Sequence, residues 1–492
     1  MVGGAAGLLG FALSGWRAHS ATGAPLPIPP LIDARRQGNA VSLVAQAGRA
    51  SLLPGKPSRT AGYNGAYLGP TIRVRSGDDV QFTVSNRLDE ATTVHWHGLL
   101  APSGVDGGPH NLISSGATWR PVLPIRQAAT TAWYHAHPHP RTGPQVYSGL
   151  AGMMIVTDDA EAALGLPSAY GVDDLPLILQ DRAFDDSGAL VYPLNPMSTM
   201  QGVRGEVILV NGAPSPTAHV PASLVRLRLL NAANARIFDL AFDDRRVFHW
   251  IGTEGGLLEA PVPLTRLELA PAQRAEVLVD FSDGRSVSLS TGPDRNLPMG
   301  MGGMGMGRMG MGRMGGRRGA DTARSVLRFE PTASRAAGVR RLPTRLAAWR
   351  RPDASKAVRR RRLNLTLGMG MGRMMGRGMG RGMQGVHGID GRPFDMRRID
   401  QRVRLGDVEV WEVSGDMMRH PFHMHGVHFE VLRRDGRAPG VTDRGRRDTV
   451  LVQEPVELLV QFTHPATETP FMYHCHILEH EDHGMMGQYL TA

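Results

Sequence analysis

The single cysteine in 492 residues lies between two histidines, in the run Tyr473-His474-Cys475-His476. The preceding residues Thr469–Tyr473 read as the end of a β-strand. In an extended chain, side chains alternate faces. His474 and His476 should therefore point to one side and Cys475 to the other, so that three consecutive residues serve two sites. On the thiolate side, His480 and Met485 follow closely enough to return across a loop and one turn. One Cys, two His and a weak axial Met are the donors of a copper electron-transfer centre. The second histidine must come from elsewhere, and His420 is the best candidate. On the opposite side, His474 and His476 are one of four His-x-His pairs, with His95/His97, His135/His137 and His423/His425. A pair on a strand presents both imidazoles on one face. Eight imidazoles are enough to hold three copper ions with positions left open for dioxygen.

The stretches HWHG at 95–98, WYHAH at 133–137, HPFHMHG at 420–426 and HCHILEHEDHGMM at 474–486 resemble, in order and spacing, the four copper motifs of multicopper oxidases. The likeness runs from about Ala61 to the C-terminus and is nearest to bacterial copper-efflux oxidases of the CueO type. It implies four copper ions. His420, Cys475, His480 and Met485 would hold the type 1 copper, and His95 and His423 the type 2 copper. His97, His135 and His476 would hold one type 3 copper; His137, His425 and His474 would hold the other. It also implies proton-delivering roles for Asp106, in VDGGPH, and for Glu481. The residues leave other roles open: D-G-G is itself a turn signal, and Glu481 could cap a helix. For additional substrate Cu(I), the resemblance points to Asp416, Met418 and Met369. The family completes that site with an Asp from the Met-rich segment, and this chain has none between Met369 and Met383, where Arg373 and its neighbours stand instead.

The length suits about three domains. The expected fold is all-β, three consecutive cupredoxin-like Greek-key sandwiches. Residues 25–165 carry the first two motifs, 166–335 carry none and act as a spacer, and 336–492 carry the last two. Alternating stretches such as 39–46, 71–86, 225–233 and 275–281 supply the strands. Two Met-Gly-Arg tracts, 299–318 and 369–383, are too Gly-rich for stable helix. Their thioethers are soft ligands suited to Cu(I). The net charge of +10 comes mostly from arginine. Without an aromatic stacking surface, it gives no reason to expect nucleic acid. Residues 1–24 resemble the hydrophobic part of a truncated export signal, too short to span a bilayer.

The sequence reading is thus a periplasmic, monomeric oxidase without a membrane span. It would take single electrons at the blue copper and reduce dioxygen to water. Cu(I) is the expected donor, in the service of copper tolerance. A laccase-like phenol oxidase and a Met-rich copper-sequestering protein are the competing readings.

Overall fold

The structure is a computed structural model and describes residues 23–294, 296, 323–333, 341–368 and 387–492. Both methionine-rich tracts, Met369 and the N-terminal run 1–22 lie outside the described residues. Three pairs of β-sheets follow one another along the chain, in cupredoxin-like sandwiches.

In the first pair, one sheet has the order Leu31–Asp33, Thr71–Arg75, Ala151–Thr157, Thr130–His135. Facing it is a sheet built on Ala40–Leu53 and Asp79–Asn86. Period-two alternation makes these elements: in Asp79–Asn86, Val80, Phe82 and Val84 point inward while Asp79 and Gln81 face solvent. The turn expected at Ser76-Gly77-Asp78 separates two of these strands.

The strand Thr130–His135 departs from alternation, because every residue in it is buried. One face, Ala132 and Tyr134, enters the first core. The other sends Trp133 into a small apolar cluster with Met153, Ile178, Leu230 and Ala272, which joins the first and second pairs. Burial of each such large apolar side chain stabilises the contact by roughly 1.5–3 kcal/mol.

Polar groups reinforce the same interface. Thr131 Oγ1 donates to Glu276 Oε1 (2.6 Å). Glu276 also pairs with Arg226 and Arg228, and Arg228 Nε reaches Asp174 Oδ1 at 2.7 Å. Burial alone would push the Glu276 carboxyl up, but the two arginines overcome it and hold it at about 2. A carboxyl with a depressed folded-state pKa contributes stability that is full above the unfolded value and is lost as pH falls through the folded value. Between about pH 5 and pH 2 this group should withdraw about 3 kcal/mol. Acid unfolding followed by near-UV circular dichroism should show that loss in the wild type and a flatter profile in Glu276→Gln. Equal slopes would remove Glu276 from the acid response.

The second pair is centred on Asp174–Phe184, Leu224–Asn231 and Arg274–Asp280, and encloses the largest apolar core. Leu342, Leu346 and Ala347, beyond its last strand, return to pack on that core. In the third pair, one sheet runs Gln401–Val403, Met486–Thr491, Ala466–Cys475, His420–Met424, Thr449–Val452. Its register aligns the residues of the last two histidine motifs. His423 lies opposite His474 on one neighbour and opposite Thr449 on the other, and Phe422 lies opposite Cys475.

Among the described residues, no helix is long and apolar enough to cross a membrane.

Candidate metal centre

Each His-x-His pair straddles the end of a strand or lies outside regular pairing. His135 ends Thr130–His135 and His137 lies beyond it. His423 is inside His420–Met424 and His425 just past it. Ala466–Cys475 stops before His476. The first pair sits in no strand: His95 makes an isolated bridge to His135, with backbone bonds of 2.9 and 3.1 Å. Strand ends at this junction allow imidazoles from the first and third pairs to meet.

The alternation expected around Cys475 is realised. Its thiol faces His420 and His480, with Sγ 3.5 Å from His420 Nδ1 and 3.6 Å from His480 Nδ1. The opposite ring nitrogens donate to backbone carbonyls, His420 Nε2 to Asp416 (3.0 Å) and His480 Nε2 to Met200 (3.0 Å). Each Nδ1 lone pair is therefore left facing sulfur. Met485 is fully buried in the same core, and its carbonyl accepts from Cys475 N. Burial pushes the Cys475 thiol up and the His420 imidazole down to about 4. A buried thiol of that kind ionises when a cation replaces its proton.

On the other side, the eight predicted imidazoles form one buried assembly. His137, His425 and His474 offer nitrogens within 4.8 Å of one another, as do His95, His97 and His135. The His476 ring lies 5.2 Å from that of His97 and 5.3 Å from that of His135. His95 also groups with His423 and His425, so it borders both sets. Burial lowers the pKa of His97, His135, His425 and His476 well below the ordinary value, and that of His423 to about 4. These rings are neutral, each with a free lone pair.

Acidic groups complete the assembly. Asp106 closes the short 3-10 turn Ser103–Val105, where Gly107 takes φ +82°; a Cβ there would strike the Val94 carbonyl. The D-G-G turn thus serves the carboxylate rather than competing with it. Asp106 Oδ2 lies 2.7 Å from His425 Nδ1, and its carbonyl accepts from His95 Nδ1 at 2.9 Å. Glu481 is no cap: it lies inside the helix Leu478–Asp482, whose N-cap is Ile477. It is fully buried, with Oε1 3.3 Å from His137 Nδ1 and Oε2 3.1 Å from His474 Nδ1. Burial would raise its carboxyl, but its electrostatic interaction with those two rings, His137 foremost, holds it below the usual range.

Several residues at the site have no signature in the sequence. Asp448 Oδ1 lies 3.2 Å from His97 Nε2, and its carbonyl accepts from His423 Nδ1 at 2.8 Å. Arg274, from the second sheet pair, binds Asp448 through both terminal guanidinium nitrogens. Glu479, beside the thiolate site, accepts from Tyr192 Oη, Asn234 Nδ2 and Val203 N. His387 is buried with its ring 5.0 Å from that of His480. Each of these contacts joins segments far apart in sequence, so no local spacing could reveal it.

Of the residues expected to bind substrate copper, Met369 lies outside the described residues and Asp416 and Met418 lie within them. Asp416 Oδ1 is taken by Asn364 Nδ2 at 2.8 Å, and Met418 faces inward, 2% exposed in the third core.

The donor set fits copper. His425 donates its Nδ1 proton to Asp106 and His474 its own to the Cys475 carbonyl, so both Nε2 atoms carry lone pairs. Those two lone pairs face each other at 3.2 Å, as do His137 Nε2 and His474 Nε2. Buried nitrogens on His95, His135, His423 and His476 have no hydrogen-bond partner. Such groups are costly unless something satisfies them, and a cation does so.

Residues 44–161 and 366–492 each match a multicopper oxidase domain. The solved laccase-like multi-copper oxidase CueO from the lignin-degrading bacterium Ochrobactrum sp. is 40% identical, with a TM-score of 0.84, over 95% of this chain and 100% of that one. The chain belongs to the multicopper oxidase family. Copper binding is therefore a property of its family, and the all-β fold agrees. McoA multicopper oxidase from Aquifex aeolicus is 34% identical, with a TM-score of 0.81, over 96% of this chain and 100% of that one. Curated relatives of this multicopper oxidase include cell division protein FtsP from Rahnella sp., 41% identical over 95% of this chain and 92% of the relative. Cell division protein FtsP from Escherichia coli is 39% identical over the same shares.

Those relatives correct the expected function. A cuprous oxidase serving copper tolerance does not stand when curated relatives at 41 and 39% identity over nearly the whole chain are cell division proteins. The error has a physical source. The four motifs report how copper is held, which oxidases with different donors share, whereas the donor is chosen by outer loops and surfaces.

Proposed function

We propose that this protein is a copper-loaded oxidase that reduces dioxygen, draws single electrons from small phenolic molecules, and acts in the periplasm in the cell-division setting of its FtsP-named relatives. The observation that carries the reading is the double-sided geometry at 474–476. The Cys475 thiol faces two imidazole lone pairs, and its neighbours His474 and His476 belong to the eight-imidazole assembly.

In this reading, His420, Cys475, His480 and Met485 hold the type 1 copper and His95 and His423 the type 2 copper. His97, His135 and His476 hold one type 3 ion, and His137, His425 and His474 the other. Copper bound at these two sites supplies one-electron acceptance at the thiolate and multi-electron reduction of dioxygen at the imidazole assembly. The protein contributes the rest. Cys475 connects the two sites through the peptide bonds to its flanking histidines. Burial excludes water from the imidazoles, and Asp106 and Glu481 stand where protons consumed by the reaction can be held. The phenolic donor is supported by the laccase-like relative, whose described activity is towards lignin model compounds.

The test is oxygen uptake by copper-reconstituted protein supplied with a substituted phenol, with copper per chain measured on the same sample. Four coppers per chain and donor-dependent uptake are expected. Full copper loading with no uptake from any one-electron donor would sink the oxidase reading.

A further inference from the structure

The second sheet pair contributes none of the predicted ligands, yet one of its side chains reaches the imidazole assembly. Arg274 begins the strand Arg274–Asp280 and is 2% exposed. Its Nη1 and Nη2 donate to Asp448 Oδ1 and Oδ2 at 2.8 and 2.6 Å, a two-pronged grip. Its Nε donates to the Thr131 carbonyl at 3.1 Å, four residues before His135, and Nη1 also reaches the Ala272 carbonyl at 3.0 Å. One guanidinium thus ties together all three sheet pairs. Thr449 Oγ1 adds a further bond to Asp448 Oδ1 at 2.8 Å.

Asp448 in turn faces two rings in different ways. Its carboxylate takes the Nε2 side of His97 at 3.2 Å, and its carbonyl takes the Nδ1 side of His423 at 2.8 Å. A hydrogen bond at one ring nitrogen decides which nitrogen keeps its lone pair. His423 is left with Nε2 free, and His97 with Nδ1 free; both atoms are buried without a partner. His97 is thus reversed relative to His95, His135 and His425, whose Nδ1 atoms face oxygen acceptors. The two rings are stacked, with centroids 3.7 Å apart and planes 14° apart, so a shift in one moves the other. Gly98 makes room for this arrangement. At φ +88°, a Cβ there would collide with Arg274 Nη2 and lie 3.0 Å from Asp448 Oδ2.

We propose that Arg274 and Asp448 form a positioning pair by which the second domain sets the tautomer and orientation of His97 and His423. The pair is more than a fastening between domains, because its carboxylate and carbonyl end on the two rings. The planar fork of arginine suits this role, since it fixes both carboxylate oxygens at once. The inference rests on the reading that these imidazoles hold copper.

The test compares Arg274→Met, Arg274→Lys and the isosteric Asp448→Asn with the wild type, each as full-length copper-loaded protein. Three quantities are read: copper per chain after dialysis against a competing chelator, the type 2 copper paramagnetic resonance spectrum, and the visible absorption of the thiolate site. Arg274→Met and Asp448→Asn should hold cluster copper about 10- to 100-fold more weakly, with altered type 2 hyperfine splitting and unchanged thiolate-site absorption. Arg274→Lys should restore part of the affinity. Wild-type cluster copper and splitting in both Arg274→Met and Asp448→Asn would overturn the proposal. So would parallel loss at both copper sites, which assigns the pair to domain docking alone. A wild type that holds four coppers yet consumes no dioxygen sinks the oxidase reading and leaves these binding readouts decisive. A wild type that binds no copper at the imidazoles sinks both.

Discussion

Cys475→Ser should give a colourless protein that keeps copper at the imidazole assembly and loses dioxygen uptake by more than about a hundredfold. The lower bound follows from outer partners of metal ligands, whose loss alone costs 10- to 100-fold; here the ligand itself is removed. Serine fits the space, because the site is fully buried and the new side chain is no larger. It fails chemically. A hydroxyl is a harder donor than a thiolate and far less acidic, and burial already pushes the native thiol up. His420 and His480 would keep their orientation, since their outer nitrogens are held by the Asp416 and Met200 carbonyls. The loss would therefore fall on the electron entry point and its connection to His474 and His476. Visible absorption, copper per chain and uptake with a phenolic donor, measured on one sample, check this. Retained uptake in a colourless variant would show that electrons reach the imidazoles without Cys475.

How much of this site could be read in the sequence depended on distance along the chain. The opposed faces of Cys475 and its neighbours follow from strand alternation, a property of three consecutive residues, and the structure keeps them. The convergence of four distant His-x-His pairs follows from their resemblance to a known set of motifs, not from any one pair. The expectation that a pair lies on a strand holds only loosely, because the partner positions His137, His425 and His476 fall just past strand ends. Irregular backbone there lets rings from two sheet pairs turn towards one centre. Thr130–His135 shows a second limit. Its unbroken burial looks like a core strand, yet one face belongs to the core and the other to an interface with the second sheet pair.

Contacts formed by docking were not legible. Nothing near Arg274 marks it as different from any charged residue at a strand start, and Asp448 lies in no motif. Asn234 and Tyr192 meet Glu479 from the second sheet pair in the same way. That pair therefore does more than space the other two, since it places side chains beside both metal centres. The donor was illegible for a different reason. Ligand motifs encode a metal environment, which oxidases with different donors share.

Glu481→Gln should lower dioxygen uptake by about 10²- to 10⁴-fold, the usual worth of a positioned acid or base, while copper per chain stays near the wild-type value. Reduction of dioxygen to water consumes four protons for four electrons, and the imidazoles are buried away from bulk water. A side chain that carries a proton must therefore stand within the assembly. Of the three carboxylates there, Asp448 has both oxygens gripped by Arg274. Asp106 holds His425 at 2.7 Å. Glu481 sits between His137 and His474, bordered on its outer side by Asp482, which is itself bound to the Thr142 and Gly143 amides at 2.9 and 2.8 Å. Glutamine keeps the volume and a carbonyl oxygen beside the two rings, but the amide cannot take up and release a proton. A role limited to orienting His137 and His474 would appear as weaker copper retention, with normal turnover per loaded cluster. A proton-transfer role would instead appear as full loading, slowed turnover, a larger solvent deuterium isotope effect and a displaced pH–rate profile. Full loading with wild-type turnover would exclude both.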